Sequence, residues 1–133
     1  MRVPNWTARL AEVFAMAEGK PFAWGENDCC LFAADCCLAI AGKDPAAEFR
    51  GTYKTEAGAK RAIKKISKTL EGAFDIHFEQ ISWAFVQRGD VVLYDGPKGR
   101  GIGIFWAGNV WSITETKGLA RIEFEPVTVW RVE

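Results

Sequence analysis

An α+β fold is predicted for this 133-residue chain by three observations: apolar residues at helical spacing lie only in the first half, the texture changes after Gly72, and the remainder is short β-rich runs punctuated by Gly, Asp and Pro. In the first segment, WTARLAEVFAMAE over 6–18, Trp6, Leu10, Val13, Phe14 and Ala17 share one face and Asn5 is available as a cap, which predicts an amphipathic helix. The second helix opens at Asp28, a good N-cap worth ~1 kcal/mol, runs through CCLFAADCCLAIA and stops at Gly42. It is apolar nearly all round, so it is expected to be central and buried. A third helix is predicted over 55–70, with Ala59, Ala62, Ile63, Ile66 and Leu70 on one side and lysines on the other. The runs FDIHFEQI, DVVLYD, GIGIFWA, NVWSITE, LARIEFE and VTVWRV then predict an antiparallel meander, with the helices packed on one of its faces.

The length and the 49% hydrophobic content suit one domain over 1–133 with a real core. Charges balance at 17 basic against 17 acidic residues, so no net field draws the chain to nucleic acid or to an anionic membrane. No apolar run is long enough for a membrane span, and the N-terminal stretch lacks the pattern of a secretory signal. Synthesis in a reducing cytosol is therefore expected, with unpaired cysteines.

Cys29, Cys30, Cys36 and Cys37 form two adjacent pairs on the second helix. Even Cys30 and Cys36 are about 9 Å apart along its axis, beyond the ~7 Å reach of a disulfide. Neighbouring helix positions diverge by ~100°, which disfavours convergence on a metal. Cys36 and Cys37 read as small core residues. Cys29 follows the cap directly, in the first turn, where free backbone N–H groups and the helix dipole favour an anion. It is a candidate nucleophile, with a structural cysteine as the plainer alternative. Trp24 and Gly25 bring the chain to that helix end, the glycine allowing close approach.

PFAWGENDCC resembles the motif of NlpC-type cell-wall peptidases, papain-like cysteine enzymes in which an aromatic residue, Trp-Gly and Asp-Cys open the catalytic helix. RGDVVLYD followed by GIGIFWAGN is similar to that family's first two core strands. AGKDPAAEFRGTY and the closing VWRV bring the chain nearer to a phage branch encoded among tail-assembly genes. The resemblance implies a papain-like domain with Cys29 as the inherited nucleophile and Trp24, Gly25 and Asp28 as its supporting motif. It also exposes losses. The family's catalytic histidine begins the second core strand, where this chain has Gly101. The residue that orients that histidine falls at Ile113, with Ser112 and Thr114 as loose substitutes, and a frequent tyrosine hydroxyl is replaced by Phe22. His77, the single histidine, is the remaining candidate base; it precedes the RGDVV strand, the wrong chain order, and reads more plainly as a strand histidine.

Other features have plainer readings. DGPKGRGIG lacks the Gly-Lys-Ser/Thr ending of a phosphate loop and reads as a hairpin. Lys60, Arg61, Lys64, Lys65 and Lys68 read as a solvated helix face. Trp83, Trp106 and Trp111 near strand ends fit either packing or docking. The expectation is a bacteriophage tail-tip or tail-assembly component on a catalytically degenerate NlpC-like domain. It would be made in the host bacterial cytoplasm, reside in the virion tail and contact other tail proteins, with peptidoglycan as a further candidate partner, and with no nucleic acid, membrane, metal or cofactor. The alternatives are an active peptidoglycan hydrolase using Cys29, or a thiol or metal module using the paired cysteines.

Overall fold

A computed structural model describes residues 1–133 as an α+β structure in which four helices precede a six-stranded antiparallel sheet. The helices are α1 (Trp6–Ala17), α2 (Cys29–Ala41), α3 (Glu56–Ser67) and α4 (Leu70–Asp75). The strands are β1 (Glu79–Ile81), β2 (Val91–Gly96), β3 (Gly99–Trp106), β4 (Asn109–Thr114), β5 (Gly118–Ile122) and β6 (Glu125–Arg131), with a 3₁₀ turn at Trp83–Phe85.

Local sequence accounts for most boundaries. Asp28 caps α2 by accepting from the Leu31 N–H at 2.9 Å, and Gly42 ends it with φ 71°. Three corrections apply to the helical half. Asn5 makes no side-chain cap to α1, because its backbone already turns toward helical values at ψ 31° instead of the extended ψ of a cap. The predicted third helix is two: Lys68 takes φ 66°, and Thr69 then caps α4 through the Gly72 N–H. The run FDIHFEQI is not one strand, since α4 continues to Asp75, His77 lies in a turn and only Glu79–Ile81 pairs. Phe74 and Phe78 explain this: both are buried in the core, and a turn from α4 carries them there at helical spacing.

The sheet order is β1-β6-β2-β3-β4-β5. Strands β2 to β5 do form a meander, but β6 crosses back to pair with β2, so the predicted meander is incomplete. At the β2–β6 pairing Val127 is an extra residue beside Pro126, a bulge that accommodates the missing proline donor. The hairpin read from DGPKGRGIG is tighter than its glycine content suggests, with only Pro97 and Lys98 between β2 and β3.

Helix α2 is the centre of the core. Nine of its thirteen residues are buried, Cys36 and Cys37 completely, which is why its sequence carries no polar face. Leu10 and Phe14 of α1, Leu93 of β2, Ile102 and Ile104 of β3, and Trp130 of β6 belong to the same core cluster. A smaller cluster of Val92, Tyr94, Val110 and Val129 lies on the alternate strand positions.

Candidate functional site

The turn before α2 is built around Asp28, which is 1% exposed. Its Oδ1 accepts the Leu31 N–H; its Oδ2 accepts the Gly25 N–H at 3.0 Å and the Tyr53 hydroxyl at 2.7 Å. One carboxylate thus ties three segments together. Gly25 has φ 81°, and a Cβ there would run into the Tyr53 carbonyl oxygen, so only glycine fits on both counts. Trp24 meets Phe22 edge-on at 4.9 Å, and Asn27 holds the turn from the other side by donating to the Pro21 carbonyl at 3.1 Å. Burial and the Asp28 carboxylate push the Tyr53 hydroxyl well above its usual pKa, so it is a constant donor.

Cys29 is half-buried and lies at a cavity of about 580 Å³ whose lining includes Phe22, Trp24, Tyr94, Gly101 and Ile113. A groove of about 610 Å³ between α1 and α2 is slightly larger, but holds no cysteine, histidine or tyrosine among its lining residues. Burial pushes the Cys29 thiol up to about 11, against lowering by the Ile102, Cys30 and Cys29 N–H groups, and the adjacent Asp28 carboxylate adds to the rise. The helix-end stabilisation expected from sequence is present in the Cys29 and Cys30 N–H groups, with the Ile102 N–H of β3 adding to it, but is outweighed by desolvation. Near neutral pH Cys29 is a thiol, with a thiolate fraction on the order of one in 10⁴.

Gly101 of β3 pairs directly with Tyr94 of β2, and a Cβ at 101 would meet the Tyr94 hydroxyl oxygen at 2.5 Å and ring carbon Cζ at 2.7 Å. The space into which a side chain at 101 would project is therefore occupied by a tyrosine. Burial raises the Tyr94 pKa, with Ser112 opposing the rise. The Ser112 hydroxyl donates to the Ile102 carbonyl at 2.6 Å. That of Thr114 donates to the Gly118 carbonyl at 3.1 Å and accepts the Lys117 N–H. Both are committed to backbone. Ile113 is buried and brings only hydrocarbon to the cavity.

His77 is in the turn after α4, beside Phe78, whose ring lies 5.7 Å from the Lys43 ammonium just past the C-terminal end of α2. Cys29 opens that helix, and thirteen residues span about 18 Å between its first and last Cα atoms. His77 and Cys29 are thus held toward opposite ends of α2, and His77 does not line the Cys29 cavity. The reading of His77 as a strand residue is corrected accordingly.

All four cysteines are free thiols, and no group of three or more His, Cys, Asp or Glu residues is disposed to hold a metal ion. No helix is long and apolar enough to cross a membrane. Sequence reasoning placed Cys29, Trp24, Gly25 and Asp28 in one cluster but missed Tyr53 and Tyr94. The second was open to inference: a two-residue turn at Pro97–Lys98 dictates that 94 faces 101. For Tyr53, 25 residues from Asp28, no local signal exists. A family model described as Domain of unknown function (DUF6950) matches residues 1–132. No curated protein matches.

Proposed function

The chain belongs to the DUF6950 family, and we propose that it is a bacteriophage tail-tip or tail-assembly component, built on a papain-like NlpC-type domain whose catalytic apparatus has decayed. The observation that carries the reading is Tyr94 over Gly101. A hydrolase of the kind the motif PFAWGENDCC resembles needs a base beside its cysteine. Here that place has no side chain of its own, and one could enter only by displacing the Tyr94 ring. The rest of the site agrees: a thiol held protonated by burial, two hydroxyls spent on backbone, and a histidine toward the far end of the helix. What remains intact is the part that packs, namely Asp28, Gly25, Tyr53 and the apolar α2. The protein then serves through contacts with other tail proteins, in the virion, after synthesis in the host cytoplasm.

A peptidoglycan hydrolase using Cys29 is the second reading, favoured by the open cavity at which Cys29 stands. Phage complementation separates the two. Under the assembly reading Cys29→Ala restores plaques, whereas Leu31→Asp, which puts a charge into the core, yields incomplete or unstable tails. Normal tails that adsorb but fail to deliver DNA when only Cys29 is changed would overturn it, as would muropeptide cleavage by the purified protein that Cys29→Ala abolishes.

A further inference from the structure

The positive charge of this neutral chain is concentrated on one element. Residues 54–68 hold six cations, Lys54, Lys60, Arg61, Lys64, Lys65 and Lys68, against the single carboxylate of Glu56; this stretch carries +5 and the rest of the chain, eleven cations against sixteen carboxylates, carries −5. Glu56 is engaged by Lys60 at 3.2 Å. Arg61, Lys64, Lys65 and Lys68 are all exposed, and none makes an ion pair. Arg61, Lys64 and Lys65, at i, i+3 and i+4, form one stripe about 6 Å long and about 100° wide on the outer side of α3, at ~1.5 Å and ~100° per residue, and Lys68, whose φ of 66° ends the helix, stands just past its last turn. The opposite side, with Ala59, Ala62, Ile63 and Ile66, is turned into the core.

A merely solvated helix face does not require this bias. Like charges at i+3 and i+4 repel, and mixed Glu and Lys would solvate α3 equally well at no such cost. The helix dipole accounts for Lys64 and Lys65 in the last turn, but not for Arg61. We propose that the exposed stripe of α3, with Lys68 at its end, is a docking surface for an acidic segment of a partner protein, a short helix whose carboxylates repeat at i, i+3 and i+4. Charge complementarity and size select this occupant. A duplex nucleic acid or an anionic bilayer extends well beyond a stripe of about 6 Å and would lie over a body carrying −5. A bilayer would also find no apolar side of α3 to take up, because that side is packed inward. The stripe contains no aromatic side chain of the kind that stacks on bases. A short acidic helix meets the stripe alone. This surface is separate from Cys29, and the inference holds whichever reading of the Cys29 site is correct.

The test is a titration of the intact protein with a synthetic helical peptide carrying glutamates at i, i+3 and i+4, at about 50 mM and about 300 mM salt. The wild type is expected to bind the peptide, more weakly at the higher salt. The quadruple variant Arg61→Gln, Lys64→Gln, Lys65→Gln, Lys68→Gln is expected to bind about tenfold less tightly, the sum of several exposed charge pairs. Its melting temperature should be equal or higher, because internal repulsion is relieved, so lost binding cannot be ascribed to unfolding. Arg9→Gln with Lys20→Gln, at the α1–α2 groove that no α3 residue lines, should leave binding unchanged. The proposal is overturned if the wild type fails to bind the peptide or the quadruple variant binds it equally well. It is overturned too if a short DNA duplex or phosphatidylserine vesicles bind the wild type more tightly than the peptide does, or if the stripe instead drives self-association that the quadruple variant abolishes.

Discussion

Asp28 does more than cap a helix. A cap alone is worth ~1 kcal/mol, but this carboxylate also satisfies the Gly25 N–H and the Tyr53 hydroxyl inside the core. Removing it strands two donors, each at roughly 1–3 kcal/mol, so Asp28→Ala is expected to cost about 3–5 kcal/mol in denaturant unfolding. Tyr53→Phe, which removes one donor and leaves the other bonds intact, should cost about 1–2 kcal/mol. A loss of only ~1 kcal/mol for Asp28→Ala would mean that the cap acts alone. Cys29 provides a pH test. Its folded value of about 11 lies above the ordinary 9.0, so the native state holds its proton after the unfolded chain has released it. The associated stability is fully present below pH 9.0 and is lost as pH rises toward about 11. Iodoacetamide labelling of Cys29, followed by mass spectrometry, should be slow at neutral pH and climb about tenfold per pH unit across the alkaline range. Fast labelling at pH 7 would show a stabilised thiolate.

At the scale of elements, the β2–β3 hairpin decides what the cavity can hold. Its two-residue turn puts Tyr94 opposite Gly101, and the ring takes the space above the glycine. Gly101→Ala is therefore expected to destabilise by about 1–3 kcal/mol through overpacking. The same change made in a Tyr94→Ala background should cost less, and a double-mutant cycle measures the difference as a coupling energy on the order of 1 kcal/mol or more. Additive costs would show that the two residues do not compete for one space. Strand β4 contributes in the same way: the Ser112 and Thr114 hydroxyls close backbone bonds in the β3–β4 and β4–β5 region.

Across the whole molecule, Asp90 joins the two ends of the chain. Fully buried, its Oδ1 accepts from the Arg2 guanidinium at 3.0 Å and the Val132 N–H at 3.2 Å, while its Oδ2 accepts from Arg131 at 3.2 Å and the Gln87 N–H at 2.9 Å. Gly89 beside it lies close to Arg2 and Ile40, so the RGDVV stretch is where the N-terminal segment, α2 and the sheet edge converge. Asp90→Ala leaves buried cationic and amide donors without a partner, and a loss of about 3–5 kcal/mol is expected. Calorimetry should show it as a fall in Tm of roughly 10 °C or more. Arg2→Ala removes one of the four groups that Asp90 accepts from, together with the Arg2 bonds to the Val132 and Arg88 carbonyls, and should cost less than Asp90→Ala; equal losses would assign the effect to Arg2.

The sequence by itself determined the features that depend on neighbours along the chain. Apolar periodicity placed α1 and α2, Asp28 and Gly42 bounded α2, and β-branched runs marked the core strands within a residue or two, because these preferences act within one or two turns of backbone. It also put a glycine at position 101, opposite a tyrosine on the neighbouring strand. Only the tertiary structure decided the rest. The route of β6 back to β2 depends on which strand edge is free once the meander has formed. The break of α3 at Lys68 follows from how Phe74 and Phe78 reach the core. The Cys29 thiol lies above its ordinary pKa because burial around it outweighs the helix-end N–H groups, and burial is a property of the packed molecule. Tyr53 reaches Asp28 across 25 residues, and His77 is held toward the far end of α2, through contacts that no local pattern records.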